Sequence, residues 1–277
     1  MGKINAIITG IGGYVPDYVL NNEELSRMVD TSDEWIMTRV GIKERHILTE
    51  EGLGTSYLAR KAAKQLLKKT GTDPDSIDAI IVCTTTPDYK FPSTASIVLG
   101  KLGLKNAFAF DLEAACCGFL YGLDQAASMI QCGRYRKVIV IGADKMSSLV
   151  DYRDRTTCVL FGDGAGAAIF ELCDAPFAIT LGARGDEAIH AGGPCRTGSA
   201  PISMDGRAVF RFAVDALPRC LHAVLDETQL ALADVDWVVC HQANSRIIDH
   251  CVKALHADAA KFYKNMDRHG NTSAASI

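Results

Sequence analysis

Three short polar segments hold the residue types that could do chemistry. The first is Asp111-Leu112-Glu113-Ala114-Ala115-Cys116-Cys117-Gly118-Phe119, between an apolar run at 107–110 and the helically spaced Leu120, Leu123, Ala127 and Ile130. A helix N-terminus presents unpaired N–H groups and partial positive charge, which favour a thiolate. Cys116 in that position is expected to be nucleophilic at neutral pH. The second segment, His241-Gln242-Ala243-Asn244, ends the apolar run 235–240. The third, Asp267-Arg268-His269-Gly270-Asn271-Thr272-Ser273, precedes a stretch of small residues. A cysteine, a histidine and an asparagine therefore each stand at a strand-to-helix junction, where open α/β sheets bind ligands. Taken singly, each has an ordinary reading as packing or an inert loop residue. It is their convergence that points to a site.

The elements that must position them alternate. Residues 6–13 read as a strand running into a glycine turn. The glycines do not form a dinucleotide fingerprint, and Pro16 stands where its helix would begin. Asn21 is placed to cap one helix, a second begins in 30–39, and 41–46 reads as an exposed turn and short strand. Residues 55–69 form an amphipathic helix with Leu58, Ala62, Ala63, Leu66 and Leu67 on its apolar face. Buried strands are expected at 78–84 and 137–143, a helix opened by Pro92-Ser93, and a further strand region over 157–170. This order predicts an α/β fold with a largely parallel sheet. A second series follows: a strand at 177–182, a long helix within 205–229, a strand at 235–240 and a helix at 245–255. No Pro-, Gly- or Ser-rich linker divides the two series, so 1–172 and 173–277 read as fused halves sharing one core.

The 277 residues are 48% hydrophobic and 22% charged, with net charge −4, which points away from nucleic acid and anionic membranes. Ten irregularly spaced cysteines include no CxxC pair, which argues against structural zinc and for free thiols in a reducing cytoplasm. The N-terminus lacks the layout of a signal peptide, and no apolar run is long enough to span a membrane.

The motifs together resemble the thiolase superfamily and, more narrowly, the β-ketoacyl-acyl-carrier-protein synthase III family. The resemblance rests on Asp30-Thr31-Ser32-Asp33-Glu34-Trp35-Ile36, Gly41-Ile42-Lys43-Glu44-Arg45, Ala114-Ala115-Cys116, Phe161-Gly162-Asp163-Gly164-Ala165, His241-Gln242-Ala243-Asn244 and Gly270-Asn271-Thr272-Ser273. It implies a thiolase-like five-layered αβαβα fold of two pseudo-repeated halves, and a homodimer. It also implies condensation of acetyl-CoA with malonyl-acyl carrier protein, with acyl-CoA as a substrate and no bound cofactor or metal. Cys116 would carry the acyl group, while His241 and Asn271 would donate to the malonyl thioester oxygen. The resemblance places Trp35 and Arg155 about the adenine, Thr31 and Arg39 near the phosphates, and Gly206 and Asn244 on the pantetheine. Phe91, reaching in from the partner subunit, and Met146 would line the acyl pocket. Arg211, Gln242, Arg246 and Lys253 would meet the acidic carrier protein. The runners-up are a related acyltransferase with another acyl-CoA or acceptor, and an inactive CoA-binding paralogue. The segment 185–199 is shorter than the family's. The family also continues past the helix opened by Gly270-Asn271-Thr272-Ser273, so the working enzyme is expected to extend beyond Ile277.

Overall fold

The computed structural model describes residues 4–192 and 200–277. The chain opens on β1 (Ile4–Tyr14), β2 (Val19–Asn21), α1 (Asn22–Met28), α2 (Asp33–Arg39) and β3 (Glu44–His46). Asn21 and Ser32 cap the two helices, their side chains accepting from the N–H groups of Glu24 and Trp35. There follow α3 (Thr55–Thr70), β4 (Ala79–Cys83), α4 (Thr94–Leu102), β5 (Phe108–Leu112), α5 (Gly118–Gln131), β6 (Lys137–Lys145) and β7 (Asp163–Phe177). The remainder holds β8 (Ile189–His190), β9 (Ser203–Met204), α6 (Gly206–Thr228), β10 (Val238–Val239), α7 (Ser245–Ala254), β11 (Phe262–Tyr263) and α8 (Met266–His269). It ends in a 3-10 turn at Ser273–Ser276.

One five-stranded sheet, in the order β1-β7-β6-β4-β5, dominates. β4 runs parallel to β5 and β6, whereas β7 is antiparallel to β6 and β1, so the sheet is mixed rather than largely parallel. The reason lies in the connections. Parallel pairing needs a crossover, which α4 and α5 supply, but only turns lie between β6 and β7. One face is covered by α3 and α4, with Leu58, Ala62, Leu66 and Val98 against Ile80, Val82, Ile139 and Ile141. The other is covered by α5, with Phe119, Leu123, Ala127 and Ile130 against Ile81, Val138 and Val140. The glycines of β1 make no turn, because the strand runs through to Tyr14. A Cβ at Gly12 would stand 2.6 Å from Leu66 N and 2.7 Å from Ala62 O, so this glycine lets the α3 backbone lie on the strand.

Three other expectations are corrected. The 41–46 segment is not an exposed turn: Arg45 is 0% exposed. Its Nη1 donates to Leu20 O at 3.2 Å and Asn22 Oδ1 at 2.9 Å, and its Nη2 donates to Val159 O at 2.8 Å. These acceptors offset much of the cost of burying a guanidinium. No strand forms over 178–182, since β7 ends at Phe177 and the segment finds no pairing partner. Of 235–240 only Val238–Val239 is strand, paired in parallel with Phe262–Tyr263. Among the described residues the second part thus has two short two-stranded pairs where the first has a five-stranded sheet and the β2-β3 pair. Its buried Cys240, Ile248, Cys251, Phe262 and Met266 pack in one cluster with Leu20, Leu25, Ile36 and Phe161 of the first part. Within 185–199, Ile189–His190 pairs with Ser203–Met204, and residues 193–199 lie outside the described residues.

Candidate active site

Cys116 lies in a 3-10 turn, Ala115–Cys117, that feeds into α5. Ala115 holds a left-handed φ of 46°, and its N–H donates to Glu113 Oε1 at 3.0 Å. A Cβ at Gly118 would stand 3.1 Å from Cys83 Cβ and 3.6 Å from Ala274 Cβ, so the helix entry is pressed between β4 and the last turn of the chain. Burial pushes the Cys116 thiol up to about 12, against a lowering hydrogen bond from Ser273. Burial therefore opposes the thiolate that the helix end would favour. Cys117 is exposed.

Asn271 is hooked onto the first part of the chain. Its N–H donates to Leu160 O at 2.8 Å, and its carbonyl accepts from Gly162 N at 3.0 Å, a parallel bridge beside Phe161. Gly270 precedes it at φ 67°, with room for no side chain: a Cβ would lie 2.9 Å from Leu160 O. Asn271 Oδ1 accepts from Ser273 N at 2.9 Å, which leaves Nδ2 to donate elsewhere. His241 Nδ1 and Ser276 Oγ are hydrogen-bonded at 2.5 Å, and Gln242 N donates to the same hydroxyl at 3.3 Å. Burial pushes His241 down to about 4, so the imidazole is neutral at neutral pH with Nε2 uncommitted.

One short segment, 271–276, therefore gathers all three residues. It carries Asn271, touches the Cys116 thiol through Ser273 and holds the His241 ring through Ser276. The turn sits on β6, where Gly142 leaves space for it: a Cβ there would be 2.2 Å from Ala274 O. Asp144, fully buried two residues on, accepts from Ala274 N at 3.3 Å. It also accepts from Thr84 Oγ1 at 2.9 Å, Thr85 N at 2.8 Å and Thr86 Oγ1 at 3.0 Å. Sequence reasoning misses Ser273, Ser276 and Asp144 as members of the site. For Asp144 a signal does exist, since it is an acid closing an apolar strand.

The residues expected about the nucleotide gather around Trp35. The Arg39 and Arg155 guanidinium carbons stand 5.3 and 5.4 Å from its ring centroid. Arg155 also donates to Asp30 O at 3.0 Å and Asp30 Oδ2 at 3.3 Å, so a stacked base would have to displace it from Asp30. Thr31 Oγ1 is buried without a hydrogen-bond partner. Asn244 Nδ2 donates to Arg39 O at 3.2 Å and its Oδ1 accepts from Arg246 N at 2.9 Å, so its amide already ties α7 to α2. Gly206 is the first residue of α6. Arg211, Arg246 and Lys253 are exposed on α6 and α7, with Arg246 5.5 Å over the Phe210 ring. Gln242 is corrected as a carrier-protein contact. It is 1% exposed, and its amide donates to Cys240 O at 2.8 Å and Tyr263 O at 3.1 Å and accepts from Asn265 N at 3.1 Å. Met146 is 4% exposed and packs in the shared cluster, whereas Phe91 is 84% exposed on the loop after β4.

Comparison with known proteins places this geometry in context. Residues 110–185 match the family described as 3-oxoacyl-[acyl-carrier-protein (ACP)] synthase III, and residues 225–277 match its C-terminal counterpart. A β-ketoacyl-[acyl-carrier-protein] synthase III of Phocaeicola vulgatus is 54% identical, covering 100% of this chain and 87% of the relative. One from Lactococcus lactis subsp. cremoris is 46% identical over 98% of this chain and 87% of its own length. The crystal structure of 3-oxoacyl-[acyl-carrier-protein] synthase III from Aquifex aeolicus superposes with a TM-score of 0.92 at 44% identity, covering 98% of this chain and 88% of that one. The fold is accordingly α/β and thiolase-like.

Proposed function

The chain belongs to the β-ketoacyl-[acyl-carrier-protein] synthase III family, and from that premise we propose how its residues carry out the condensation that initiates type II fatty-acid synthesis. The observation that carries the reading is the 271–276 segment, which joins Cys116, His241 and Asn271 through Ser273 and Ser276. Cys116 attacks the acyl-CoA thioester, holds the acyl group and releases CoA, the first half of a ping-pong cycle. Malonyl-acyl carrier protein then loses CO2. That step needs donors at the thioester oxygen, where enolate charge develops, rather than a strong base. Asn271 Nδ2 is one donor. Ser276 accepts from Gln242 N and gives its own proton to His241 Nδ1, which leaves the proton of the neutral ring on Nε2 as the second donor. The resulting carbanion attacks the acyl-cysteine and yields the 3-oxoacyl product.

Trp35, Arg39, Arg155 and Thr31 receive the nucleotide of CoA, Gly206 and Asn244 border the pantetheine, and the exposed Arg211, Arg246 and Lys253 meet the acidic carrier protein. The exposed Phe91 completes the acyl pocket of a second copy across a homodimer. The expected division at 172/173 falls inside β7, which runs to Phe177, and we place the boundary between the halves after that strand. No helix among the described residues is long and apolar enough to cross a membrane, and the substrates proposed are those of the cytoplasm.

Intact-mass spectrometry with peptide mapping after incubation with acetyl-CoA tests the assignment. One acetyl group on Cys116, absent from a Cys116→Ser variant, is expected, and acetylation of Cys117 instead would reject it. Phe91→Gly should shift acyl-CoA choice towards bulkier or branched chains. An unchanged substrate profile, or an active monomer by light scattering, would count against the shared pocket.

A further inference from the structure

Arg45 is wholly buried, and its guanidinium bonds to three segments at once. Nη1 donates to Leu20 O at 3.2 Å and to Asn22 Oδ1 at 2.9 Å, and Nη2 donates to Val159 O at 2.8 Å. These acceptors are two backbone carbonyls and an amide oxygen, with no carboxylate among them. Burial lowers the Arg45 pKa to about 10, which leaves it charged at neutral pH. A residue needed here only for its volume would be apolar, because burying a charge on uncharged acceptors is unfavourable. What an apolar residue could not supply is direction. The guanidinium is a planar fork with donors at fixed angles, so it registers the segments it joins.

Of those segments, 157–162 is the one that bears on the chemistry. It is a turn ahead of β7, in which Leu160 N donates to Thr157 O at 3.0 Å. Two successive carbonyls of this turn have different partners. Val159 O accepts from Arg45, and Leu160 O accepts from Asn271 N at 2.8 Å. Gly162 N then donates to Asn271 O at 3.0 Å. Asn271 thus hangs from the peptide next to the one that Arg45 holds. Contact adds to these bonds: a Cβ at Gly162 or at Gly270 would stand 3.1 Å from Arg45 Cβ, so both sides of the hook lie on the arginine stem. The other end of the fork is braced. Asn22 is 2% exposed, and its Nδ2 donates to Asp33 Oδ1 and to Ile42 O, each at 2.8 Å. Lys43 N donates to Asp267 O at 2.8 Å, a tie between the same segments that needs no side chain. Loss of the fork should therefore leave the 266–271 region docked and disturb only its register.

We propose that Arg45 is a positioning residue for Asn271: by fixing Val159 O it sets the 159–162 turn from which Asn271 hangs, and so aims the Asn271 amide at the malonyl thioester oxygen. The role rests on the reading of Asn271 as a donor in decarboxylation and deepens it. A donor acts fully only where it meets the developing charge at hydrogen-bond distance, so a small shift in its support lowers the rate without abolishing binding. Cys116 stands on another element, at the entry to α5, and its acylation does not depend on this turn. Arg45 therefore serves one half-reaction and leaves the other alone.

Arg45→Met keeps the stem and much of the volume and removes the fork. Acetylation of Cys116 is timed by intact mass, and decarboxylation of malonyl-acyl carrier protein is followed on enzyme already acetylated. Urea unfolding establishes that the variant is folded under assay. Decarboxylation at saturation should fall by about tenfold, part of what outright loss of a donor removes. The half-saturating concentration of malonyl-acyl carrier protein should stay unchanged, and acetylation should stay within about twofold of wild type. Added to Asn271→Ala, Arg45→Met should slow decarboxylation little further, because it acts through Asn271, whereas general damage to the fold would add. Arg45→Lys, which keeps the charge and part of the hydrogen bonding, should recover some of the rate. Decarboxylation by Arg45→Met within about twofold of wild type, equal losses in both half-reactions, or additive losses in the double variant would overturn the positioning role. If Arg45→Met does not fold, Arg45→Lys decides by the same comparison: a loss confined to decarboxylation supports the role, and wild-type or equally reduced rates overturn it. An Asn271→Ala variant that decarboxylates at the wild-type rate would instead reject the underlying reading of Asn271.

Discussion

The part of the chain that supplies the cysteine and the part that supplies the histidine are built to different standards. The first has a five-stranded sheet with a packed cluster on each face, where Ile80, Ile81, Ile139 and Val140 are all 0% exposed. The second has two pairs of two-residue strands among the described residues, and its long helix α6 contains one buried residue, Leu225. Its buried residues among those described cluster with Leu20, Ile36 and Phe161 of the first part. His241 and Asn271 are held accordingly. Neither is fixed by a sheet in its own part. Asn271 is hooked onto Leu160 and Gly162, and His241 is steadied by Ser276 of a turn seated on Gly142. The donors are therefore only as precise as the docking of 270–276 onto the first part.

The largest effect should come from removing a donor outright. His241→Ala and Asn271→Ala should each cost about 2.7–4 kcal/mol in malonyl-acyl carrier protein decarboxylation, with a much smaller loss in acetylation of Cys116. Half-reaction assays check this, and equal losses would mean that the two parts do not divide the labour. Next come two glycine substitutions, one in each setting. Gly142→Ala drives a methyl group into Ala274 O and should unseat the turn, lowering decarboxylation by about tenfold and stability by about 1–3 kcal/mol. Gly12→Ala pushes against the α3 backbone in the first part, and should cost similar stability while the folded fraction keeps its activity. Denaturant titration alongside turnover separates the two, and equal activity losses would erase the contrast.

The last effect is on pH. The His241 pKa is depressed by burial, so the folded state holds a neutral ring down to about pH 4, while the unfolded chain takes up a proton below about 6.5. Its contribution to stability is therefore present above about pH 6.5 and is lost as pH falls towards 4, by up to about 3 kcal/mol. The decarboxylation profile should show no histidine inflection near 6.5. His241→Gln should flatten the acid limb of the stability curve, measured by urea unfolding from pH 4.5 to 7.5.

Local patterns in the sequence carried most of the first part. The apolar runs at 78–84 and 137–143 became β4 and β6, and the spacing of Leu58, Ala62 and Leu66 became the inner face of α3. The Asn21 cap formed as its side-chain chemistry demands. What was lost depends on contacts remote in sequence. The 178–182 run has strand composition but no neighbour to pair with, and β-propensity alone does not make a strand. Arg45 looks like a surface residue until its acceptors, one of them Val159 O, are brought to it. Cys116, His241 and Asn271 were visible by type and setting. The hydroxyls of Ser273 and Ser276 that connect them were not, because serine in a small-residue stretch has no periodic signature. Gln242 sits in a polar motif and reads as a contact residue, yet its amide satisfies backbone groups inside the second part.

Ala115, immediately before Cys116, and Ser273, against its thiol, both keep left-handed backbones, at φ 46° and 54°. For residues with a Cβ that conformation holds about 1–2 kcal/mol each in reserve, and glycine would release it. Selection for heat resistance alone would thus drift towards glycine at both positions. At 115 the exchange discards only a methyl group. At 273 it discards the hydroxyl that touches the nucleophile, so a thermally adapted lineage reaches there the point at which endurance and turnover pull apart.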